Sequence, residues 1–191
     1  MGIALLLPRA STTDDRKAVY RALAAWEGAC RTGEEDTPLL PIHLGAAGSL
    51  QVRRLEEVPL QRTLQIATWV GPARSWATVT PIALDNHPGD LHANDPAKLN
   101  RVIAEASSSI AAACANIGLP RPEAVEILPA APVAGSPKAR HYPPFPNDPN
   151  RTRRALTHAR IIFERPVRGP VILGAGRFVG LGLLRPEVAD V

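Results

Sequence analysis

The residues of this chain able to do chemistry are five histidines and a block of arginines toward the C-terminus. Histidine titrates near neutrality and can give or take a proton at working pH. His87 stands in the polar loop Leu84-Asp85-Asn86-His87-Pro88, the kind of segment on which function often sits. His158 precedes an apolar run inside the basic block, where it can face a bound anion. His141 lies in Lys138-Ala139-Arg140-His141-Tyr142, within a proline-rich stretch. His92 sits beside an expected helix start and reads as local, and His43 falls on an expected strand and reads as structural.

The charge around these histidines is uneven. Between Lys138 and Pro186 stand Lys138, Arg140, Arg151, Arg153, Arg154, Arg160, Arg165, Arg168, Arg177 and Arg185, against only Asp148 and Glu164. That segment carries +8, so the rest of a chain with net charge +4 carries −4. A local excess of this size reads as a surface for a polyanion, the alternative being a solvated basic face. Arginine outnumbers lysine there, which suits planar, bidentate phosphate contacts. Metal chemistry is not expected. Cys30 and Cys114 are isolated and read as packing residues, without the spacing of a zinc site or a disulfide framework. Asp85, Asp90 and Asp95 are interrupted by Pro88 and Pro96 and lack the EF-hand pattern. No cofactor motif is present.

Gly169-Pro-Val-Ile-Leu-Gly174-Ala-Gly176-Arg177-Phe-Val-Gly180-Leu-Gly182 joins two apolar runs through closely spaced glycines. Such a loop can turn its N–H groups toward a phosphate, and Arg177 stands in its middle. Gly174, Gly176, Arg177, Gly180 and Gly182 are therefore candidate contacts to an anion. No helix follows the glycines, so the segment is not a dinucleotide fingerprint; no Lys-Ser or Lys-Thr follows either, so it is not a Walker loop.

The elements that must position these residues are short. Hydrophobic residues make up 45% of the chain, and 20 prolines with 14 glycines favour brief strands and stiff turns. Ile3–Leu7 reads as a buried first strand bounded by Pro8. Ser11-Thr-Thr-Asp14 reads as a helix N-cap, followed by a helix with Val19, Leu23 and Trp26 on one face and a stop at Gly28. After a polar loop at Arg31–Thr37, Leu39–Leu44 and Ser49–Leu55 form a hairpin around Gly45-Ala46-Ala47-Gly48. Trp76–Leu84 is a strand bent at Pro81. Asp95 caps a helix with Pro96 at its first position and the stripe Leu99, Val102, Ile103, Ala106, Ile110, Ala113 and Ile117, ended by Gly118 and Pro120. Ala124–Leu128 is a strand, Gly135–Asn150 a proline-rich loop, and Ala159–Phe163, Pro170–Leu173 and Leu181–Leu184 are further strands. The class is α+β. The element order suggests tandem ferredoxin-like (RRM-like) folds with a C-terminal Gly-rich loop. The first, partial unit spans 1–68 and the second, with the Gly-rich loop and basic segment, 69–191. No run reaches the length of a membrane span and the first residues lack a signal peptide's basic start, so a soluble, cytoplasmic protein is expected.

Four stretches carry a resemblance to a known family. They are Gly2-Ile-Ala-Leu-Leu-Leu-Pro-Arg9, Trp76-Ala-Thr-Val-Thr-Pro-Ile-Ala-Leu-Asp-Asn-His-Pro88, His158-Ala-Arg-Ile-Ile-Phe163 and Arg168–Leu184. With them the chain resembles the CRISPR-associated RAMP superfamily. More closely, it is similar to the repeat-processing half of the fused subunit in type I-U (I-G) effector complexes. Members of that family are usually longer, with a further RAMP fold toward the N-terminus, so the chain corresponds to the later part of the family pattern.

The resemblance implies binding and metal-independent cleavage of CRISPR repeat RNA. A 2′-hydroxyl attacks the adjacent phosphate, and the product is retained beside other RAMP subunits of a type I complex. That chemistry needs a base, an acid and positive charge at the phosphate. His87 and His158 are the candidate catalytic residues. Lys138, Arg140, His141, Tyr142, Arg151, Arg153, Arg154, Arg168 and the Gly-rich loop are the candidate RNA contacts, with His141, Tyr142 and Phe145 able to stack on unpaired bases. Two other readings remain open: a non-catalytic crRNA-binding subunit of the same architecture, and a small-molecule-binding α+β domain whose Gly-rich loop holds an anion.

Overall fold

Thr12 and Asp15 start the first helix. The Thr12 hydroxyl accepts from the Asp15 N–H at 3.2 Å, and the Asp15 carboxylate accepts from the Thr12 N–H at 2.8 Å. This is a capping box. The computed structural model describes residues 3–8, 10–33, 37–45, 48–55, 60–148 and 150–187. Gly2 and Arg9, residues 34–36 and 149 of the expected loops, and Ala46-Ala47 of the expected turn lie outside the described residues. The chain forms two compact units, Met1–Gln65 and Ile66–Val191, of mixed helix and sheet.

In the first unit, helix α1 (Thr13–Cys30) runs past Gly28 to an extended cap at Arg31. Val19, Leu23 and Trp26, the expected apolar face, are half-buried, and no residue of α1 is fully buried. Strands β1 (Leu40–His43) and β2 (Ser49–Val52) pair antiparallel, with Leu40 opposite Val52 and His43 opposite Ser49. The expected hairpin is present. The expected first strand is not: Ile3–Leu7 forms no strand, and Ile3 and Leu5 are 63% and 65% exposed. A strand needs a neighbour for its backbone groups, and among the described residues the β1-β2 sheet contains those two strands alone. The described part of this unit is therefore a helix, a hairpin and a 3-10 turn at Arg62–Leu64, without the leading strand.

The second unit opens with a short helix, α2 (Ala67–Val70), that the sequence did not suggest. Strand β3 (Pro72–Thr78) and strand β4 (Ile82–Ala83) replace the single bent strand expected here, because the chain breaks off the ladder between Val79 and Pro81. Helix α3 (Pro96–Asn116) follows the expected cap: Asp95 accepts from the Ala97 N–H at 2.9 Å, with Pro96 in the first turn. Val102, Ala106, Ile110 and Ala113 of the stripe are buried, and Leu99, Ile103 and Ile117 are half-buried. Strands β5 (Ala124–Leu128), β6 (Leu156–Arg168), β7 (Val171–Ile172) and β8 (Leu183–Glu187) complete the unit.

β6 organises the sheet. β5 pairs with it from Ala124 opposite Ile162 to Leu128 opposite His158, and β3 through Trp76 opposite Ile161. After the break, β4 resumes along β6 with Ile82 opposite Thr157. β8 lies on the far side of β3, and β7 pairs with β8. All these pairings are antiparallel, so α3 carries the chain from β3 and β4 to β5 across the position of β6. Trp76, Ile161, Phe163, Leu173 and Leu184 pack against Ala106, Ile110 and Cys114 of α3 in one core. Each large apolar side chain contributes about 1.5–3 kcal/mol by leaving water. Burial pushes the Cys114 thiol up to about 12, which leaves this cysteine an inert packing group. Among the described residues no helix is long and apolar enough to cross a membrane.

Candidate nucleic-acid interface

The proline-rich segment between β5 and β6 folds back onto the second unit and is tied at two points. The Pro137 carbonyl lies 3.0 Å from His158 Nε2, and the Phe145 carbonyl accepts from the Arg154 N–H at 2.7 Å. A short 3-10 turn, Ala139–His141, lies between the ties. This arrangement gathers side chains that are far apart in sequence. Arg140, Tyr142, Arg153 and Arg154 line a single open pocket of about 240 Å3 together with His92, Ala139, Pro144 and Leu156. Arg153 also borders a smaller hollow with Pro144, Pro146, Asn147 and Asp148. Four of the expected contact residues thus converge, and His92, read from sequence as local, joins them. Nothing in the spacing of His92 and Arg153 announces this; the loop brings them together.

Arg154 is both a wall of the pocket and a strut. Its guanidinium donates to the Leu84 carbonyl at 3.1 Å and also to the Asp85 carbonyl. It thereby holds the start of the loop that carries His87. His87 itself is exposed. Its Nδ1 accepts from the Gly89 N–H at 3.2 Å, which puts the proton of the neutral ring on Nε2. His141, also exposed, accepts from Arg140 Nε at 3.4 Å. Lys138 and Arg151 are exposed on either side of the segment, and Arg168 is exposed at the end of β6. Partial burial raises the Tyr142 hydroxyl above its usual range, so it acts at neutral pH as an uncharged donor and flat surface.

His158 is placed differently. It is fully buried on β6. Thr78 Oγ1 accepts from the Ala159 N–H at 3.0 Å and sits 3.0 Å from His158 Nδ1. The hydroxyl proton therefore points at Nδ1, and Nε2–H donates to Pro137. Burial holds this imidazole below its ordinary titration range, partly offset by the Pro137 carbonyl. Both ring nitrogens are engaged, and in this arrangement the side chain fastens the proline-rich segment to the sheet rather than facing a ligand.

The Gly-rich segment is a compact knuckle. At Gly174 and Gly182 φ is +83° and +73°; a Cβ there would collide with the carbonyl oxygens of Ala83 and Leu173. Glycine is needed at both positions for conformation and for close approach. The segment spends many of its N–H groups internally. Ala175 donates to Ala83, Val179 and Leu181 to Gly176, and Gly182 to Pro81, at 2.8–3.2 Å. The Thr80 hydroxyl donates to the Gly180 carbonyl and accepts from the Leu183 N–H, each at 2.9 Å. What the knuckle presents outward is its tip, the 3-10 turn Arg177–Val179, with Phe178 81% and Val179 65% exposed. Phe178 escaped the sequence reading, although an aromatic beside an arginine in a glycine-flanked tip is a usable signal.

Not every arginine of the basic block is available. Arg160 chelates Glu187 through Nε and Nη2 at 2.7 and 3.1 Å and reaches Glu126 at 2.9 Å. These pairs tie β6 to β5 and β8 and cancel its charge. Arg160 is therefore withdrawn from the accessible positive charge, which includes the arginines of the pocket and Arg177 of the knuckle. These two features meet at adjacent peptides: the Ala83 carbonyl receives Ala175 and the Leu84 carbonyl receives Arg154. No curated protein and no solved structure matches the chain. Among family models, residues 54–186 match the one described as CRISPR-associated protein, GSU0054 family.

Proposed function

Because the chain belongs to the GSU0054 family of CRISPR-associated proteins, we propose that it binds CRISPR repeat RNA as a subunit of a type I effector complex, beside other RAMP subunits. The observation that carries this reading is the convergence of Arg140, Arg153, Arg154, Tyr142 and His92 on one open pocket. Guanidinium groups around a flat phenol suit a phosphate with a neighbouring base. A small-molecule site fits less well, since enclosed ligand pockets span roughly 300–1,000 Å3 and this one is open and smaller. The strand order β5-β6-β3-β8, with α3 between β3 and β5, supports a ferredoxin-like, RRM-like second unit.

A second reading is that the chain also cuts the RNA without a metal. It is favoured by His87, whose Nε2 has no protein partner among the described residues, on a loop held by Arg154. Nε2 can exchange a proton with the attacking 2′-oxygen or the leaving 5′-oxygen, and the arginines can offset charge at the phosphate.

Both readings are tested by incubating the purified chain with an end-labelled repeat RNA in EDTA and running native and denaturing gels. A retarded band that weakens with salt supports binding. A single cut leaving a 5′-hydroxyl adds cleavage, and intact bound RNA leaves a holding subunit. No retardation at low salt overturns the RNA assignment.

A further inference from the structure

Phe178 is an exposed aromatic ring with a cation held against one face. It is 81% exposed at the tip of the knuckle, whose backbone is fixed by the Gly174 and Gly182 contacts and by Thr80. The Arg177 guanidinium lies 4.5 Å from the Phe178 ring centroid, while Arg177 Nη1 donates to the Gly174 carbonyl at 3.3 Å. One face of the ring is thus covered by a cation that is itself tethered, and the other is open. An aromatic ring on a preformed support loses little freedom on binding, which raises the affinity it can deliver.

We propose that Phe178 is a stacking platform for one unpaired nucleobase of the bound RNA, with Arg177 behind the ring contacting the adjoining phosphate. This rests on the RNA reading above and goes beyond it, because it names a residue, a mode of contact and a strand state. A flat, π-bearing ring backed by a cation takes a base face, and a base within a continuous duplex has no face to offer. The knuckle therefore prefers RNA with an unpaired nucleotide. The glycines serve as the mount, and the contact is made by the two side chains at the tip.

The test compares the full chain with Phe178→Ala, Phe178→Leu, Phe178→Trp and Arg177→Ala by fluorescence anisotropy. Two labelled RNAs are used, one single-stranded and the other the same strand annealed to its complement. Melting temperatures should match across the series, since the side chains are exposed. Phe178→Ala is expected to weaken single-strand binding roughly 5- to 150-fold, the range for losing one stacked base. Phe178→Trp should restore it, Phe178→Leu should not, and the duplex should be indifferent to all three. Arg177→Ala should weaken single-strand binding and reduce its dependence on salt. Wild-type binding with an unaffected Phe178→Ala variant overturns this inference alone. Rescue by leucine also overturns it, since the contact would then be apolar packing. If the wild-type chain binds neither RNA, the RNA assignment falls and this inference falls with it.

Discussion

Thr78 and His158 face each other across β3 and β6, the threonine hydroxyl 3.0 Å from His158 Nδ1. With Nε2 on the Pro137 carbonyl, this histidine is a structural fastener. His158→Ala would leave the Pro137 carbonyl without its donor and the buried Thr78 hydroxyl without its acceptor. We expect a loss of about 2–4 kcal/mol in denaturant unfolding, with RNA affinity changed only as far as the proline-rich segment loosens.

The same histidine sets a pH dependence. Its folded pKa lies below its ordinary value near 6.5 because the buried ring resists charge. The unfolded chain therefore binds the extra proton first. The His158 contribution is complete above about pH 6.5 and declines as pH falls toward the depressed folded value. Unfolding at pH 7.5 and pH 5.5 should show this decline in the wild-type chain and less of it in His158→Gln.

Glu187 adds a second acid-sensitive tie. Burial would raise its carboxyl, but Arg160 and the Ser75 hydroxyl at 2.6 Å outweigh this and hold it below the usual carboxylate range. Its contribution is present above about pH 4.5 and is lost as pH falls through the lowered value. After allowance for partial exposure, Glu187→Gln should cost about 1–2 kcal/mol at pH 7 and flatten the acid limb of the stability profile.

Arg153 borders both hollows and is exposed. Arg153→Ala should weaken binding of all RNA sequences alike and lower the slope of log affinity against log salt by roughly one. Titrations at several salt concentrations measure both. An unchanged slope would remove Arg153 from the phosphate contacts.

Gly182→Ala places a Cβ against the Leu173 carbonyl oxygen at a positive φ. We expect a loss of at least about 2 kcal/mol and a lower melting temperature, with RNA binding falling as the knuckle distorts.

The sequence made the local elements legible wherever local chemistry decides them. Thr12 with Asp15, Asp95 with Pro96, the α3 stripe and the β1-β2 hairpin all declare themselves in a few neighbouring residues. The Ile3–Leu7 reading failed because apolar content alone does not supply a pairing strand. The sequence pattern places the start of β6 at Ala159, since Thr157 and His158 look polar. They are buried nonetheless, because Thr78 and Pro137, distant in sequence, satisfy the His158 ring. The candidate site was legible in kind, as a basic, glycine-containing region, but not in geometry. Arg160 could not be separated from Arg153 without seeing Glu126 and Glu187 beside it, and His92 could not be joined to Arg154 without the fold of the proline-rich segment.

The knuckle divides its labour between residues that cannot change and residues that can. Gly174 and Gly182 are locked to opposing carbonyls, whereas the Phe178 and Val179 side chains are exposed and the Arg177 side chain reaches only the Gly174 carbonyl and the Phe178 ring. The tip behaves as an interchangeable bit in a fixed chuck. On the proposed RNA reading, a library randomised at 177–179 with the glycines retained would sample new nucleotide preferences while keeping the glycine contacts that hold the turn.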